Sequence, residues 1–302
     1  MSLDRLITKI IETQNPTVLG LDPKLDFIPV DLKKEAYNLH GKTPEGAADA
    51  ILRFNKALID AIYDIVPAVK PQAAYYEMYG WQGVRALAET ISYAQSKGLF
   101  VIADCKRNDI GATMEAYSKA WLGTTEVEDM SFTPFGADAM TVNGYLGTDG
   151  IEPLIKICHN QDKGIFVLAK TSNPSSGELQ DKKVNDKTIY EIMASLSEQW
   201  GESLLGKHGY NGVGIVVGAT YPEQLAELRC KFPKLFFLVP GYGAQGGGGA
   251  SIAGAFDKNG LGAIVNASRS MMCAWQKSPD MSLAEATRAE AIRMKKDITN
   301  KC

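Results

Sequence analysis

Short apolar runs recur along the chain, and longer amphipathic stretches separate them. The runs are rich in β-branched and small residues, as expected of strands that a parallel sheet buries on both faces. Between them, apolar residues recur three and four positions apart, which is the spacing of a helix with one buried face. The pattern therefore predicts an α/β protein in which strands and helices alternate.

The number of these units indicates the architecture. The predicted strands cover residues 17–22, 67–72, 99–106, 137–143, 164–170, 212–218, 235–241 and 262–267. The predicted helices cover residues 44–65, 83–96, 109–122, 150–158, 187–205, 222–232, 250–256 and 283–299. Eight regular units favour a closed barrel over an open doubly wound sheet. Residues 1–302 are therefore predicted to form a single (β/α)8 TIM barrel domain with its active site at the carboxyl ends of the strands.

Two polar insertions interrupt the regular pattern, Lys24–Pro44 after the first strand and Thr171–Asp186 after the fifth. Both follow the carboxyl end of a strand, where barrel enzymes build their active sites. Loops of this length are often lids or binding segments. Contact with a neighbouring subunit is the alternative that the sequence leaves open.

Composition narrows the class of protein. The net charge of −3 argues against nucleic acid or an anionic membrane as the main partner, although it permits a local phosphate site. The five cysteines are odd in number and form no CxxC pair, which indicates reduced thiols, no metal site and a cytoplasmic location. The sequence shows neither a signal peptide nor an apolar run long enough to span a membrane.

Charged residues cluster where the predicted second and third strands end. Lys70 lies near the end of the second strand, and Asp104 and Lys106 end the third. Because alternate residues of a strand share a face, Asp104 and Lys106 are expected to point one way and Cys105 the other. With Asp109 these residues form a row of alternating charge, which suits partial burial. The row predicts either a catalytic site or a salt-bridge network that seals the barrel.

A phosphate site is predicted after the last two strands. Residues 239–249 contain a run of glycines whose backbone N–H groups can approach an anion closely. A helix starting near Ala250 would add its positive end. Arg269, after the eighth strand, could make a forked contact with phosphate oxygens. Barrels commonly bind phosphate at these two loops.

These motifs together resemble those of the orotidine 5'-phosphate decarboxylases. The resemblance rests on Asp104-x-Lys106-x-x-Asp109-Ile110-Gly111-Ala112-Thr113, Leu21-Asp22, Lys70, residues 240–247 and Ser268-Arg269. It runs in order from the first strand to the eighth. The length and the two insertions are similar to those of the longer bacterial and protozoan branch of that family.

The resemblance implies that orotidine 5'-monophosphate (OMP) loses its C6 carboxylate as carbon dioxide and becomes UMP in pyrimidine biosynthesis, without metal or organic cofactor. Lys106 would protonate C6, and Asp104 would lie beside the substrate carboxylate. Lys70 and Asp22 would bind the ribose. The other substrate contacts implied are Ser172 with the pyrimidine and Pro240, Gln245 and Arg269 around the phosphate.

The resemblance also implies a homodimer with shared active sites. Asp109, Ile110 and Thr113 would reach the site of the neighbouring subunit. Gln72, two residues after Lys70, differs from the Asn of some relatives, so the ribose and base contacts there are less certain.

The motifs leave two alternatives to this function open. A related phosphosugar decarboxylase or lyase would keep the Asp-x-Lys-x-x-Asp row, but typically with an acid on strand two and magnesium; Lys70 disfavours this. A non-catalytic phosphate-binding barrel would be expected to lack one or more of Lys70, Asp104, Lys106 and Asp109, and all four are present.

Overall fold

The computed structural model describes residues 2–243 and 248–300. Within these residues, eight parallel strands close into one barrel, so the predicted (β/α)8 fold is confirmed. The barrel strands, in order around it, are β1 (Thr17–Leu21), β2 (Ala68–Pro71), β3 (Phe100–Arg107), β6 (Ala139–Val142), β7 (Gly164–Lys170), β10 (Val213–Val217), β11 (Phe237–Val239) and β12 (Ala263–Ala267). Pairing of β12 with β1 completes the ring. Each observed strand overlaps its predicted range.

Helices surround the barrel. They are α1 (Ser2–Thr13), α2 (Val30–His40), α3 (Pro44–Ile62), α4 (Ala74–Glu77), α5 (Gly80–Ser96), α6 (Gly111–Trp121), α7 (Glu152–Gln161), α8 (Ile189–Trp200), α9 (Pro222–Lys231), α10 (Gly249–Ile252), α11 (Arg269–Met272) and α12 (Leu283–Thr299). Thr43 caps α3 by accepting the Gly46 N–H at 3.2 Å. Gly98, with φ of +78°, follows the end of α5 as predicted.

Helix α1, which the strand–helix pattern did not predict, closes the amino-terminal mouth of the barrel. Its Leu3 and Leu6 are buried in one cluster with Phe100 and other interior side chains. Arg5 donates a hydrogen bond to Asp138 at 2.7 Å, which ties α1 to the start of β6. The helix lies outside the repeating units, so its burial depends on closure of the barrel.

Side chains along β3 point alternately into the barrel interior and toward the surrounding helices, and this alternation continues up to the site. Ile102 belongs to the interior cluster, whereas Val101 and Ala103 belong to the core between strands and helices. Asp104 continues the inward-facing series. A charged side chain therefore stands at the upper end of a packed apolar interior.

Both insertions contain secondary structure that the sequence did not reveal. Lys24–Pro44 holds a 3₁₀ turn at Leu25–Phe27 and then α2. The segment after β7 holds a 3₁₀ turn at Pro174–Glu178 and a short hairpin of β8 (Lys183–Val184) and β9 (Lys187–Thr188). A second hairpin joins β4 (Thr125–Val127) to β5 (Met130–Phe132).

Candidate active site

A cavity of about 540 Å³ opens at the carboxyl ends of the barrel strands. Leu168, Val216 and Leu238 give it apolar walls, and Asp104 and Lys106 bring charge into it. Apolar walls with a few convergent polar groups are typical of small-molecule sites. The carboxyl ends of the strands are also where (β/α)8 enzymes carry their chemistry.

Three of the four predicted row residues meet in this cavity. The Nζ of Lys70 lies 2.6 Å from Oδ2 of Asp104, and the Nζ of Lys106 lies 2.5 Å from Oδ1 of the same carboxylate. The Lys70 side chain is only 4% exposed, whereas that of Lys106 is 44% exposed. One lysine is therefore enclosed by the protein, and the other faces the space where a ligand would lie.

The two ammonium groups keep Asp104 ionised. Burial by itself raises the pKa of this carboxyl, but the charges of Lys70 and Lys106 outweigh it and hold the pKa well below its usual range. Burial lowers the pKa of Lys70, but Asp104 and Asp22 raise it above its ordinary value. The buried pair is therefore charged at neutral pH.

Two further side chains bind Asp104, and the sequence reasoning assigned neither to this carboxylate. Gln72 Nε2 donates to Oδ2 at 3.1 Å, and Thr141 Oγ1 donates to Oδ1 at 2.9 Å. Thr141 is 1% exposed and lines the cavity. Its inward position at the end of β6 is the signal that could have revealed it.

The backbone at Lys106 departs from regular strand geometry. Its φ is +48°, in the left-handed region that costs a non-glycine residue about 1 kcal/mol. Asp104 and Lys106 nevertheless reach the same cavity, as the alternation predicted. Cys105 points into the outer core, where burial raises the pKa of its thiol to about 12, so it is a packing residue.

Asp109, Ile110 and Thr113 lie apart from this charge cluster within the chain. They precede or open α6, and none of them lines the cavity. Asp109 Oδ1 accepts the N–H of Ile110 at 2.8 Å. The side chain of Ile110 points outward, and this residue is 52% exposed. The fourth member of the predicted row, Asp109, thus does not line the cavity of its own chain.

Of the predicted ribose and phosphate contacts, Lys70 and Pro240 line the cavity. Asp22 lies close enough to Lys70 to raise its pKa, and its buried Oδ1 has no hydrogen-bond partner within the described residues. Arg269 is exposed at the start of α11 and has no ion-pair partner in the part of the chain that the structure describes. Gln245 lies outside the described residues.

The flanks of the glycine-rich segment are attached to α12. Tyr242 donates its hydroxyl proton to Asp297 Oδ2 at 2.5 Å, and the N–H of Gly249 donates to the same oxygen at 3.1 Å. The helix predicted for residues 250–256 is shorter than expected, a single α-turn followed by a 3₁₀ turn at Ala253–Ala255. So short a helix adds little dipole.

The segment after β7 forms one wall of the cavity and is held by a buried lysine that the sequence reasoning missed. Ser172, the predicted pyrimidine contact, lines the cavity. The Lys170 side chain is fully buried, and its Nζ lies 2.6 Å from Asp181 and 3.1 Å from the Ser176 hydroxyl. It also lies 4.2 Å from the centre of the Tyr221 ring. Lys170 thus ties the middle of this segment to the end of β7.

Neither a metal cluster nor a membrane helix is found among residues 2–243 and 248–300. No three His, Cys, Asp or Glu side chains in that part are grouped so that they could hold a metal ion. No helix there has the length and apolar character needed to cross a bilayer.

Comparison with known proteins finds relatives that share most of the length of this chain. A relative from Rhodopirellula baltica named orotidine 5'-phosphate decarboxylase is 44% identical over 97% of both chains. One of the same name from Caldicellulosiruptor bescii is 40% identical over 90% of both.

Solved structures are similar to this chain in both sequence and fold. The Leishmania donovani OMP decarboxylase has a TM-score of 0.76 and 30% identity, over 99% of this chain and 98% of that one. The L. donovani UMP synthase has a TM-score of 0.77 and 32% identity, over 99% of this chain and 56% of that one. Residues 30–276 match the family described as orotidine 5'-phosphate decarboxylase / HUMPS family. The chain belongs to the orotidine 5'-phosphate decarboxylase / HUMPS family.

Proposed function

We propose that this chain is a carboxy-lyase that converts OMP to UMP and carbon dioxide, with Lys106 as the proton donor. The observation that carries the proposal is the pair of lysines on one ionised, buried carboxylate, Asp104, at the base of the cavity. The names of the relatives from R. baltica and C. bescii support the same substrate.

The arrangement supplies what the decarboxylation requires. The bond between C6 and the carboxylate breaks, carbon dioxide leaves, and the electron pair stays on C6. The Lys106 ammonium lies beside that carbon, stabilises the developing negative charge and then transfers a proton to it. Lys106 is partly exposed, so it can regain a proton from solvent after each turnover.

Binding of the remote parts of the substrate positions C6. Asp22 and Lys70 are proposed to hold the ribose, and Ser172 the pyrimidine. Pro240, Gln245 and Arg269 are proposed to surround the phosphate. In their support, Lys70, Ser172 and Pro240 line the same cavity as Lys106. Phosphate binding energy can then be used to hold the reacting carbon against Asp104 and Lys106.

The complete site is proposed to form in a homodimer. Asp109 lies two residues before α6 and Thr113 lies in its exposed first turn, and neither lines the cavity of their own chain. The exposed side chain of Ile110 gives this region an apolar surface suited to a partner. From the partner, Asp109 would extend the alternating row past Lys106, and Thr113 and Ile110 would approach the ligand.

Two broader features belong to the proposal. Residues 1–302 are proposed to form one domain, which is supported by the packing of α1 and α12 on a single barrel. A cytoplasmic location is supported by the unpaired state of Cys105, Cys158, Cys230 and Cys273.

The decisive experiment adds the purified protein to OMP in excess chelator and follows the OMP absorbance band. We expect the band to disappear and UMP to accumulate. No conversion would contradict the proposed substrate. Conversion only after magnesium is restored would indicate the metal-dependent chemistry of the related lyases. Lys106→Ala at the same concentration is the matched control, and it should leave the band unchanged.

A further inference from the structure

The strand that carries the catalytic lysine loses its register directly beneath the cavity. Ala103 of β3 pairs with Met140 of β6, and the next pair joins Arg107 to Val142. Three residues of β3 thus stand opposite one residue of β6, Thr141. A bulge of this kind redirects a side chain and leaves backbone groups without ladder partners.

Thr141 occupies the position where those partners are missing. Its Oγ1 accepts the backbone N–H of Lys106 at 3.0 Å, and it donates to Asp104 Oδ1 at 2.9 Å. Its carbonyl oxygen lies 3.8 Å from the Cys105 sulfur. All three residues of the bulge therefore contact this one threonine.

The direction of the two hydroxyl hydrogen bonds is determined by chemistry. The N–H of Lys106 can only donate, and the ionised carboxylate of Asp104 can only accept. The single hydroxyl proton of Thr141 must therefore point to Asp104, and a lone pair must face Lys106. With Lys106 in the left-handed region at φ +48°, this hydroxyl links its backbone to the carboxylate that binds its own Nζ.

We infer that Thr141 is a positioning residue for the decarboxylation, which places Asp104 and Lys106 relative to each other through its hydroxyl. The inference rests on the proposed role of Lys106 as proton donor. Thr141 holds the backbone of the bulge on one side and the carboxylate on the other. Without the hydroxyl, the backbone N–H of Lys106 would have no hydrogen-bond acceptor. Asp104 Oδ1 would still bind Lys106 Nζ, but the carboxylate would have more freedom to move.

Two replacements of Thr141 by residues of similar size distinguish the effect of the hydroxyl from the effect of side-chain volume. Thr141→Val keeps the shape and removes the hydroxyl, whereas Thr141→Ser keeps the hydroxyl and loses a methyl group. For Thr141→Val we expect kcat to fall about 10- to 100-fold, the usual effect of losing a hydrogen bond to a charged group. KM and the affinity for UMP should change by less than about threefold, since neither bond of the hydroxyl involves the ligand.

Thr141→Ser should recover most of the lost kcat. Thr17→Val is the matched control, because Thr17 is also buried on a barrel strand and its Oγ1 has no hydrogen-bond partner in the described residues. It should keep wild-type kcat. If Thr141→Val does not fold, Thr141→Ala and Thr141→Ser provide the same comparison of presence and absence of the hydroxyl.

Wild-type kcat in Thr141→Val would overturn the inference. So would an equal loss in Thr141→Ser and Thr141→Val, which would show that volume matters and the hydroxyl does not. A loss of UMP affinity as large as the loss of kcat would also overturn it, because a binding role would then account for the effect. Failure of the wild-type protein to convert OMP would instead contradict the proposed function itself.

Discussion

The Lys70 ammonium lies 2.6 Å from Oδ2 of Asp104, and the two side chains are 4% and 10% exposed. Lys106 binds the other oxygen of the same carboxylate but is 44% exposed. The two lysines therefore differ in what they do for the protein. Lys70 balances a charge that is largely buried, whereas Lys106 can exchange its carboxylate partner for water.

This difference predicts unequal effects on stability. Lys70→Met leaves Asp104 buried without its enclosed partner and should lower the free energy of unfolding by about 3 kcal/mol or more. Lys106→Met removes a half-exposed ion pair and should cost no more than about 1 kcal/mol. Urea unfolding of both variants at neutral pH measures the two values. Equal costs would show that the enclosure of Lys70 has no energetic consequence.

Loss of Lys106 should have a small effect on stability but a large effect on turnover. Lys106→Ala removes the proposed proton donor and should lower kcat by at least about 1,000-fold, within the range for lost acid catalysis combined with lost charge stabilisation. The melting temperature should stay near that of the wild type. Lys97→Ala, which removes a surface lysine paired with Asp60, is the control and should keep full activity. Retained turnover in Lys106→Ala would refute the assigned donor.

Stability should depend on pH through Asp104 in a defined direction. Its folded pKa is held below the ordinary carboxyl value, so its contribution is complete above about pH 3.9 and is lost as the pH falls toward the folded pKa. Asp104→Asn lacks this group. The stability difference between the wild type and Asp104→Asn should therefore shrink by about 1.4 kcal/mol for each pH unit below that value. Denaturant unfolding at pH 5, 4 and 3 tests this; a constant difference would contradict it.

A shared site predicts complementation between inactive variants. Asp109→Ala and Lys106→Ala should each be inactive as homodimers, because each variant lacks one of the two required groups in both of its sites. After subunit exchange at equal concentrations, half of the dimers should be mixed with one intact site each, so about one quarter of the wild-type activity should return. The assay is OMP conversion before and after exchange. No recovery after exchange is proven by mass spectrometry would count against the shared site.

The wall formed by the segment after β7 should depend on Asp181. Asp181→Asn weakens the hold of the buried Lys170 on this segment, and cleavage within it by a protease should become about tenfold faster, which corresponds to 1.4 kcal/mol of local opening. Asp186→Asn makes the same change of charge on an exposed residue of the same segment and is the control. Equal cleavage rates in the two variants would show that Lys170 does not anchor the segment.

The sequence alone predicted the barrel because its signals are local. Apolar runs and helical spacing follow from which residues must be buried in each element, and these can be read without knowing the neighbours. The same alternation correctly separated Asp104 and Lys106 from Cys105, since side chains on successive strand residues point to opposite faces. Helix α1 was missed because it lies outside the strand–helix repeat, and only the closed barrel shows what its apolar face packs against.

Which side chains contact one another in the site could be learned only from the tertiary structure. The approach of Gln72 and Thr141 to Asp104 depends on the register between neighbouring strands, and that register shifts at the bulge. The left-handed backbone of Lys106 and the burial of Lys170 under the following segment likewise arise from packing between distant residues. The sequence determined which charged residues stand at the carboxyl ends of the strands, because strand order and periodicity are local properties. Only the folded barrel decided which atoms meet there, because hydrogen bonds depend on distances across strands.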